Sequence, residues 1–200
     1  MATSLIELVD ELQIHNAINS KSVKDAFLSV PRNEFMASEL RDYSFIDSSY
    51  PIGDGATISQ PSTIAIMLEM LDLKEGQKVL EVGSGSGYVL ALINKITKTK
   101  VTGVEINPRL VKKSNFVLNK LNIDAEVFLG NGKLGVKENN FDRIIVSASA
   151  PKVPTNLFNF LSKNGKLLAP IGINVQDLIL FDKSGKEIYK TEGFLFVRLQ

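Results

Sequence analysis

Cysteine is absent from this chain, and histidine occurs once, at His15. The first absence removes disulfides, thiolate nucleophiles and cysteine-based metal centres together. No group of histidines and carboxylates has metal-ligand spacing, so no catalytic metal is expected. Charge of one sign is not in excess either: 23 Lys+Arg face 22 Asp+Glu, for a formal net charge of +1. A nucleic-acid binder carries a basic stripe or a strong basic excess, so nucleic acid is not an expected partner. No run of five like charges marks a charged tail. Apolar runs stay well short of the ~18 residues that cross a bilayer. The N-terminal MATSLIELVDELQ carries acids inside its apolar stretch, unlike a secretory leader. The expectation is a cytoplasmic protein, monomeric and independent of membranes.

What remains is an ordinary globular composition, 44% hydrophobic and 22% charged. Its length suits one domain over residues 1–200. Residues 4–14 read as a helix, with Leu5, Leu8, Val9 and Leu12 on one face. A second helix is expected over 21–29, with Ser20 as its N-cap and Pro31 beyond its end. Residues 32–60 look irregular, with Pro51, Gly53 and Gly55 close together. Helical spacing resumes from Pro61 through Ile64, Met67, Leu68 and Leu71. Strands then alternate with helices: strands at 78–82, 101–106, 125–129, 141–147 and 166–171, helices at 88–96, 108–121 and 155–162. Two further β-rich segments lie near 177–182 and 193–199. This rhythm implies an α/β fold, a Rossmann-like doubly wound mixed sheet with helices on both faces and an N-terminal helical extension. The sheet should be mostly parallel, with antiparallel strands at its C-terminal edge. Residues 1–60 would form a helical lead-in and a substrate-side loop, and 61–200 a nucleoside-binding α/β core.

The chemistry concentrates in Glu81-Val82-Gly83-Ser84-Gly85-Ser86-Gly87, between the first core strand and a helix. Glycines let the backbone turn sharply and approach a ligand closely. Glu105 ends the next strand, where a carboxylate beside the loop can accept both hydroxyls of a ribose. A dinucleotide fingerprint G-x-G-x-x-G would put its third glycine at position 88, which is Tyr88. The spacing G-x-G-x-G after an acid instead resembles the nucleoside-binding loop of class I methyltransferases. A cationic sulfonium without phosphates also suits a loop led by Glu81. Alone, the same glycines would also make a tight strand–helix turn and nothing more.

Five segments together resemble the protein-L-isoaspartate O-methyltransferase family. They are Val30-Pro31-Arg32-Asn33-Glu34-Phe35; Pro51-Ile52-Gly53-Asp54-Gly55-Ala56-Thr57-Ile58-Ser59-Gln60-Pro61; VLEVGSGSGY over Val79–Tyr88; Gly130-Asn131-Gly132-Lys133-Leu134-Gly135; and Pro151–Pro154 followed by Asn164–Gly172. They occur in family order over nearly the whole chain, and the T-I-S-x-P stretch is the most diagnostic. The resemblance implies methyl transfer from S-adenosylmethionine, leaving S-adenosylhomocysteine, to the α-carboxylate of an L-isoaspartyl residue in a damaged protein or peptide. The ester then collapses to a succinimide that reopens in part to aspartate. Such a carboxylate is ionised at neutral pH, so no general base is required, and catalysis becomes alignment plus exclusion of water. The lone His15 and the missing cysteine are therefore no obstacle.

By the same resemblance, cofactor binding falls to Thr57, Ile58, Ser59, Glu81, Gly83, Ser84, Gly85, Gly87, Glu105, Ile106, Asn131 and Gly132. Substrate binding falls to Ile52, Ser59, Val197 and Arg198. Ser59 is the expected catalytic residue, a hydroxyl that holds the attacking carboxylate beside the methyl group. Taken without the motif, Thr57 and Ser59 are turn-stabilising hydroxyls before a helix. The sequence departs from the family pattern twice. Asn131 stands where the family has aspartate, which should weaken cofactor binding by roughly 1 kcal/mol. Arg198 stands where the family has proline, and is read either as a contact to a substrate carboxylate or as a solvated edge-strand charge. Alternative readings keep the scaffold with another methyl acceptor, or with cofactor binding and weakened turnover.

Overall fold

The computed structural model describes residues 2–132 and 138–199. Two N-terminal helices come first, α1 (Leu5–Ile14) and α2 (Lys21–Ser29). Each starts where a serine hydroxyl accepts a backbone N–H of the first turn: Ser4 from Glu7 and Ser20 from Val23. Leu8, Val9, Leu12, Val23, Ala26 and Phe27 are their buried faces, as the spacing predicts.

The segment expected to be irregular has local order. It contains 3₁₀ turns at Arg32–Phe35 and Ser38–Tyr43, then a hairpin of β1 (Tyr50–Gly53) and β2 (Ala56–Ile58). Gly53, Asp54 and Gly55 all have positive φ at its tip. Strands of four and three residues leave no alternation to read, so the hairpin escapes a pattern search.

The core alternates α3 (Pro61–Leu71), β3 (Val79–Val82), α4 (Tyr88–Thr97), β4 (Val101–Glu105), α5 (Pro108–Lys120), β5 (Ala125–Leu129) and β6 (Phe141–Val146). It closes with β7 (Leu161–Ile171), β8 (Gln176–Asp182) and β9 (Glu187–Phe194). The seven-stranded sheet has the order β5-β4-β3-β6-β7-β8-β9, parallel through β7 and antiparallel for the last two strands. Its two faces follow the period of two along each strand. Val79, Ile145, Leu168, Leu178 and Leu180 join the cluster that holds the α-helices. Leu80, Val82, Ile144, Val146, Leu167 and Phe181 face a second cluster, covered by the 3₁₀ turn Thr155–Phe160 and its neighbours. The chain leaves β3 toward β4 and β5 on one side, while β6 and β7 extend the other. Above the carboxyl ends of β3 and β6 the sheet therefore has its topological switch point, where open α/β sheets bind ligands.

Three boundaries differ from the sequence expectation. Where the sequence predicts a helix over 155–162, Thr155–Phe160 make a six-residue 3₁₀ turn, because the chain enters β7 at Leu161. That strand starts five positions early, hidden by Ser162–Gly165, which bulge between the pairings Phe141↔Leu161 and Arg143↔Lys166. The final strand is Glu187–Phe194, not 193–199. Its exposed, polar EIYKTE pairs as an edge strand and has little apolar signal. The apolar residues after it leave the ladder and bridge to Ser149 through Arg198.

Candidate active site

A cavity of about 700 Å³ opens at the switch point. Gly83 and Gly85 after β3, Glu105 and Ile106 after β4, and Ser147 and Ala148 after β6 line one side. Ala56, Thr57, Ser59, Gln60 and residues 193–199 line the other.

The glycine loop is held to the sheet by Gly83 and Ser84, whose N–H groups both donate to the Val104 carbonyl at 2.8 and 3.2 Å. Gly83, Gly85 and Gly87 all have positive φ, the conformation that lets the loop curl over the strand end and start α4. Glu105 is buried, and its two oxygens accept from the N–H of Gly85 (3.0 Å) and of Asn107 (2.9 Å). A carboxylate has about four lone-pair sites, so each oxygen keeps one for a further donor, the capacity that two ribose hydroxyls need. Ile106 follows, 43% exposed, an apolar face at the cavity edge.

Glu81 lies beneath this loop and does not line the cavity. Its Oε1 accepts from Ser147 Oγ at 2.6 Å, while Oε2 is sealed from water with no hydrogen-bond partner. Burial pushes its carboxyl up to about 8, opposed by the Ser147 hydrogen bond and reinforced by the nearby Glu105. Ser84 Oγ is a second buried polar atom without a partner. The curled glycine loop beside a half-engaged Glu105 carboxylate fits a polar, nucleoside-sized ligand.

The loop after β5 meets the same region from outside. Gly130 N–H donates to the Glu105 carbonyl at 3.0 Å, which sets Asn131 one residue from that carboxylate's backbone. A Cβ on Gly132 would come within 2.1 Å of Val82 Cγ1, so only glycine fits against the end of β3. Asn131 is half-buried, and neither residue lines the cavity. Lys133, Leu134 and Gly135 of the same motif lie outside the described residues.

The opposite wall is made of chain that does not pair with the large sheet. Arg32, buried among the 3₁₀ turns, donates to the carbonyls of Ser44 (3.1 Å), Ile46 (3.3 Å), Ser48 (2.8 Å) and Ser59 (3.1 Å). One guanidinium thereby gathers residues 44–48 around the backbone of Ser59. Asp47 completes the clamp: Oδ2 accepts from Gln60 Nε2 at 2.9 Å and Oδ1 from Ser62 N at 2.8 Å, in the first turn of α3. Ser59, half-buried between them, lines the cavity. Ile58 is buried, and Ile52 places Cδ1 at 3.4 Å from a Cβ built on Gly85, so the hairpin rests against the glycine loop.

The last wall is the segment after β9. Ser149 N donates to the Val197 carbonyl (2.8 Å) and Leu199 N to the Ser149 carbonyl (2.7 Å). The buried Gln176 accepts from Phe196 N at 2.8 Å. Val197 and Arg198 are thus held at the cavity rim.

Of the residues expected at the site, Thr57, Ser59, Gly83, Gly85, Glu105, Ile106, Val197 and Arg198 line one cavity. Ile52, Ile58, Glu81, Ser84, Gly87, Asn131 and Gly132 are not among the residues that line it. Sequence reasoning missed Arg32 as a hub, Asp47 as a remote cap, Ser147 as the partner of Glu81 and Gln176 as the tie for Phe196. Arg32 had a signal in its V-P-R segment. The other three contact residues 13 to 66 positions away and had none.

The chain is similar to known proteins over nearly its whole length. The sequence profile of the family protein-L-isoaspartate(D-aspartate) O-methyltransferase matches residues 3–200. A protein-L-isoaspartate O-methyltransferase of Methanococcus maripaludis is 44% identical over 190 residues, covering 93% of this chain and 90% of that protein. Another, of Methanopyrus kandleri, is 42% identical, covering 88% and 81%. A solved structure from Plasmodium falciparum, described as a candidate enzyme of the same name in complex with S-adenosyl-L-homocysteine, superposes with a TM-score of 0.84 at 29% identity. It covers 96% of each chain.

Proposed function

This chain belongs to the protein-L-isoaspartate(D-aspartate) O-methyltransferase family, and we propose that the cavity between Glu105 and Ser59 is where its reaction takes place. The protein is an S-adenosylmethionine-dependent methyltransferase that methylates isoaspartyl residues of damaged proteins and peptides. The observation that carries the assignment is that Gly83, Gly85 and Glu105 share a cavity with Ser59, which joins a nucleoside cradle to the serine of the T-I-S-x-P stretch.

Bound S-adenosylmethionine supplies a methyl group on a sulfonium. Glu105 offers its remaining lone pairs to the ribose, Ile106 an apolar face to the base, and the curled glycine loop a close backbone approach. Glu81, buried below the loop, braces Ser147. The Asn131 amide carbonyl accepts from the adenine amino group, while Gly132, Ser84 and Gly87 support the nucleoside side from behind. On the acceptor side, Ser59 Oγ donates to the isoaspartyl α-carboxylate and holds one oxygen toward the methyl group. A neutral hydroxyl orients the anion without taking its charge away, so nucleophilicity is retained. Thr57 and Ile58 fix the strand that leads into Ser59, while Ile52 and Val197 wall the acceptor, and Arg198 stands at its mouth. Residues 1–60, joined by residues 195–199, then serve the acceptor side, and the remainder of 61–200 serves the cofactor. No helix among the described residues is long and apolar enough to cross a membrane.

The test uses labelled S-adenosylmethionine and matched peptides carrying isoaspartate or aspartate. Base-labile label on the isoaspartyl peptide alone is expected; label on both or neither contradicts the reading. Ser59→Ala should lower kcat about 10- to 100-fold, the scale of lost alignment, with S-adenosylhomocysteine affinity unchanged by calorimetry. Undiminished turnover removes Ser59 from the mechanism.

A further inference from the structure

We propose that Arg198 is a specificity-determining residue that selects isoaspartyl acceptors carrying an acidic side chain next to the isoaspartate. The proposal rests on the methyl-transfer reading above and deepens it.

Position comes first. Arg198 lines the cavity, and the backbone on both sides of it is fixed by the two hydrogen bonds to Ser149. An anchored backbone and an exposed guanidinium make a charge with a defined origin and adjustable reach.

Charge comes second. The other four arginines are engaged: Arg32 with carbonyls, Arg41 with Glu34 at 3.9 Å, Arg109 with Asp54 at 3.2 Å, and Arg143 with the carbonyls of Leu71 and Asp142. Arg198 has no such partner among the described residues. Of the two acids that line the cavity, Asp54 is paired with Arg109, and Glu105 is held on the glycine-loop side by the N–H groups of Gly85 and Asn107. The neighbouring wall presents the neutral Ser59, Gln60, Ser62 and Thr63. An anion approaching this mouth meets a cation that forms no ion pair with an acid among the described residues.

Chemistry decides which anion. The acceptor carboxylate becomes a neutral ester, so its charge falls on the way to the transition state. A guanidinium paired with it would stabilise the starting anion more than the transition state and slow the step. Pairing with a non-reacting carboxylate has no such penalty, because that charge persists throughout. It strengthens ground state and transition state alike, which lowers KM and leaves kcat unchanged.

The test compares three C-terminally amidated isoaspartyl peptides, with glutamate before the isoaspartate, glutamate after it, or glutamine at both places. At low salt, kcat/KM for one or both glutamate peptides should exceed that of the glutamine peptide about three- to fivefold, the scale of an exposed ion pair. The difference should lie in KM and shrink toward one at 0.5 M salt, as exposed charges are screened. In Arg198→Gln the ratio should collapse to about one, whereas Arg198→Lys should retain part of it. Equal rates on all three peptides, a preference expressed in kcat, or a preference that survives in Arg198→Gln overturns the proposal. If wild-type protein methylates none of the isoaspartyl peptides, the underlying reaction is wrong, a result distinct from equal turnover of all three.

Discussion

The two walls of the cavity are built by different means. The cofactor wall grows out of the sheet: β3, β4 and β6 are almost entirely buried, and their ends turn into Gly83–Gly87, Glu105–Asn107 and Ser147–Ala148. Backbone hydrogen bonds and strand packing fix it before any side chain is considered. The acceptor wall is made of residues 44–60 and 195–199, which have no ladder to the large sheet beyond one bridge at Ser149. Single polar side chains hold it: Arg32 by four carbonyls, Asp47 by Gln60 and Ser62, Gln176 by Phe196. A rigid cradle thus faces a wall whose shape depends on a few residues. Substitutions should therefore separate cofactor binding from methyl transfer.

Arg32→Ala is the largest break expected. It strips charged donors from the carbonyls of Ser44, Ile46, Ser48 and Ser59 and leaves a hole where the guanidinium was. Unpaired buried acceptors cost about 1–3 kcal/mol each, so a loss of at least ~3 kcal/mol is expected after partial rehydration. Thermal unfolding should show a clear fall in Tm. Turnover of an isoaspartyl peptide should fall more than tenfold, while the folded fraction keeps its S-adenosylhomocysteine affinity within about twofold. Arg32→Lys, able to serve fewer carbonyls, should lie between. If calorimetry finds the cofactor weakened as much as turnover, the two walls are not independent.

The cofactor wall has its own sensitivity, to pH. Burial holds the Glu81 carboxyl at about 8 in the folded protein against an ordinary 4.5. The folded state therefore keeps a proton that the unfolded chain releases, and stability falls as pH rises from about 4.5 to 8. The slope is at most about 1.4 kcal/mol per pH unit. Carboxylates held low by partners, such as Glu34 beside Lys120 and Asp72 beside Lys74, act in the opposite sense at more acid pH. The informative quantity is thus the difference between wild type and Glu81→Gln. Denaturant unfolding of the ligand-free proteins at pH 5 and pH 8 should show wild type losing more stability than the variant across that interval. Parallel curves would mean that Glu81 is ionised in the fold.

Legibility in the sequence follows the same division. The strands at 79–82, 101–105 and 141–146 and the helix at 108–120 were readable because buried strands and amphipathic helices leave periodic patterns. The glycine loop was readable because a sharp turn at a strand end needs glycine, and Glu105 because it stands at the end of the next strand, beside that loop. The hairpin at 50–58, the 3₁₀ turn at 155–160 and the true last strand were not, being short, bulged or solvent-exposed. The T-I-S-x-P stretch marked the segment that lines the opposite side of the cavity, but not what holds it. Asp47, Ser147 and Gln176 matter through partners that the fold alone brings near. Arg198 was visible as a departure, yet its lack of an internal partner among the described residues emerges only in three dimensions.

The smallest expected effect concerns the other departure, Asn131. It follows β5, one residue beyond Gly130, whose N–H is fixed on the Glu105 carbonyl. An amide carbonyl there can accept from the amino group of an adenine, and aspartate would accept as a charged partner, roughly doubling the strength of that hydrogen bond. The gain is bounded by the half-burial of the position and by repulsion from the carboxylate of Glu105 nearby. Asn131→Asp should therefore tighten S-adenosylhomocysteine binding about three- to fivefold by calorimetry, near 1 kcal/mol. The gain should leave KM for the isoaspartyl peptide unchanged, because the substitution acts on the cofactor wall alone. Weaker cofactor binding would show that repulsion between the two carboxylates outweighs the new hydrogen bond, and that this loop acts by shape rather than by charge.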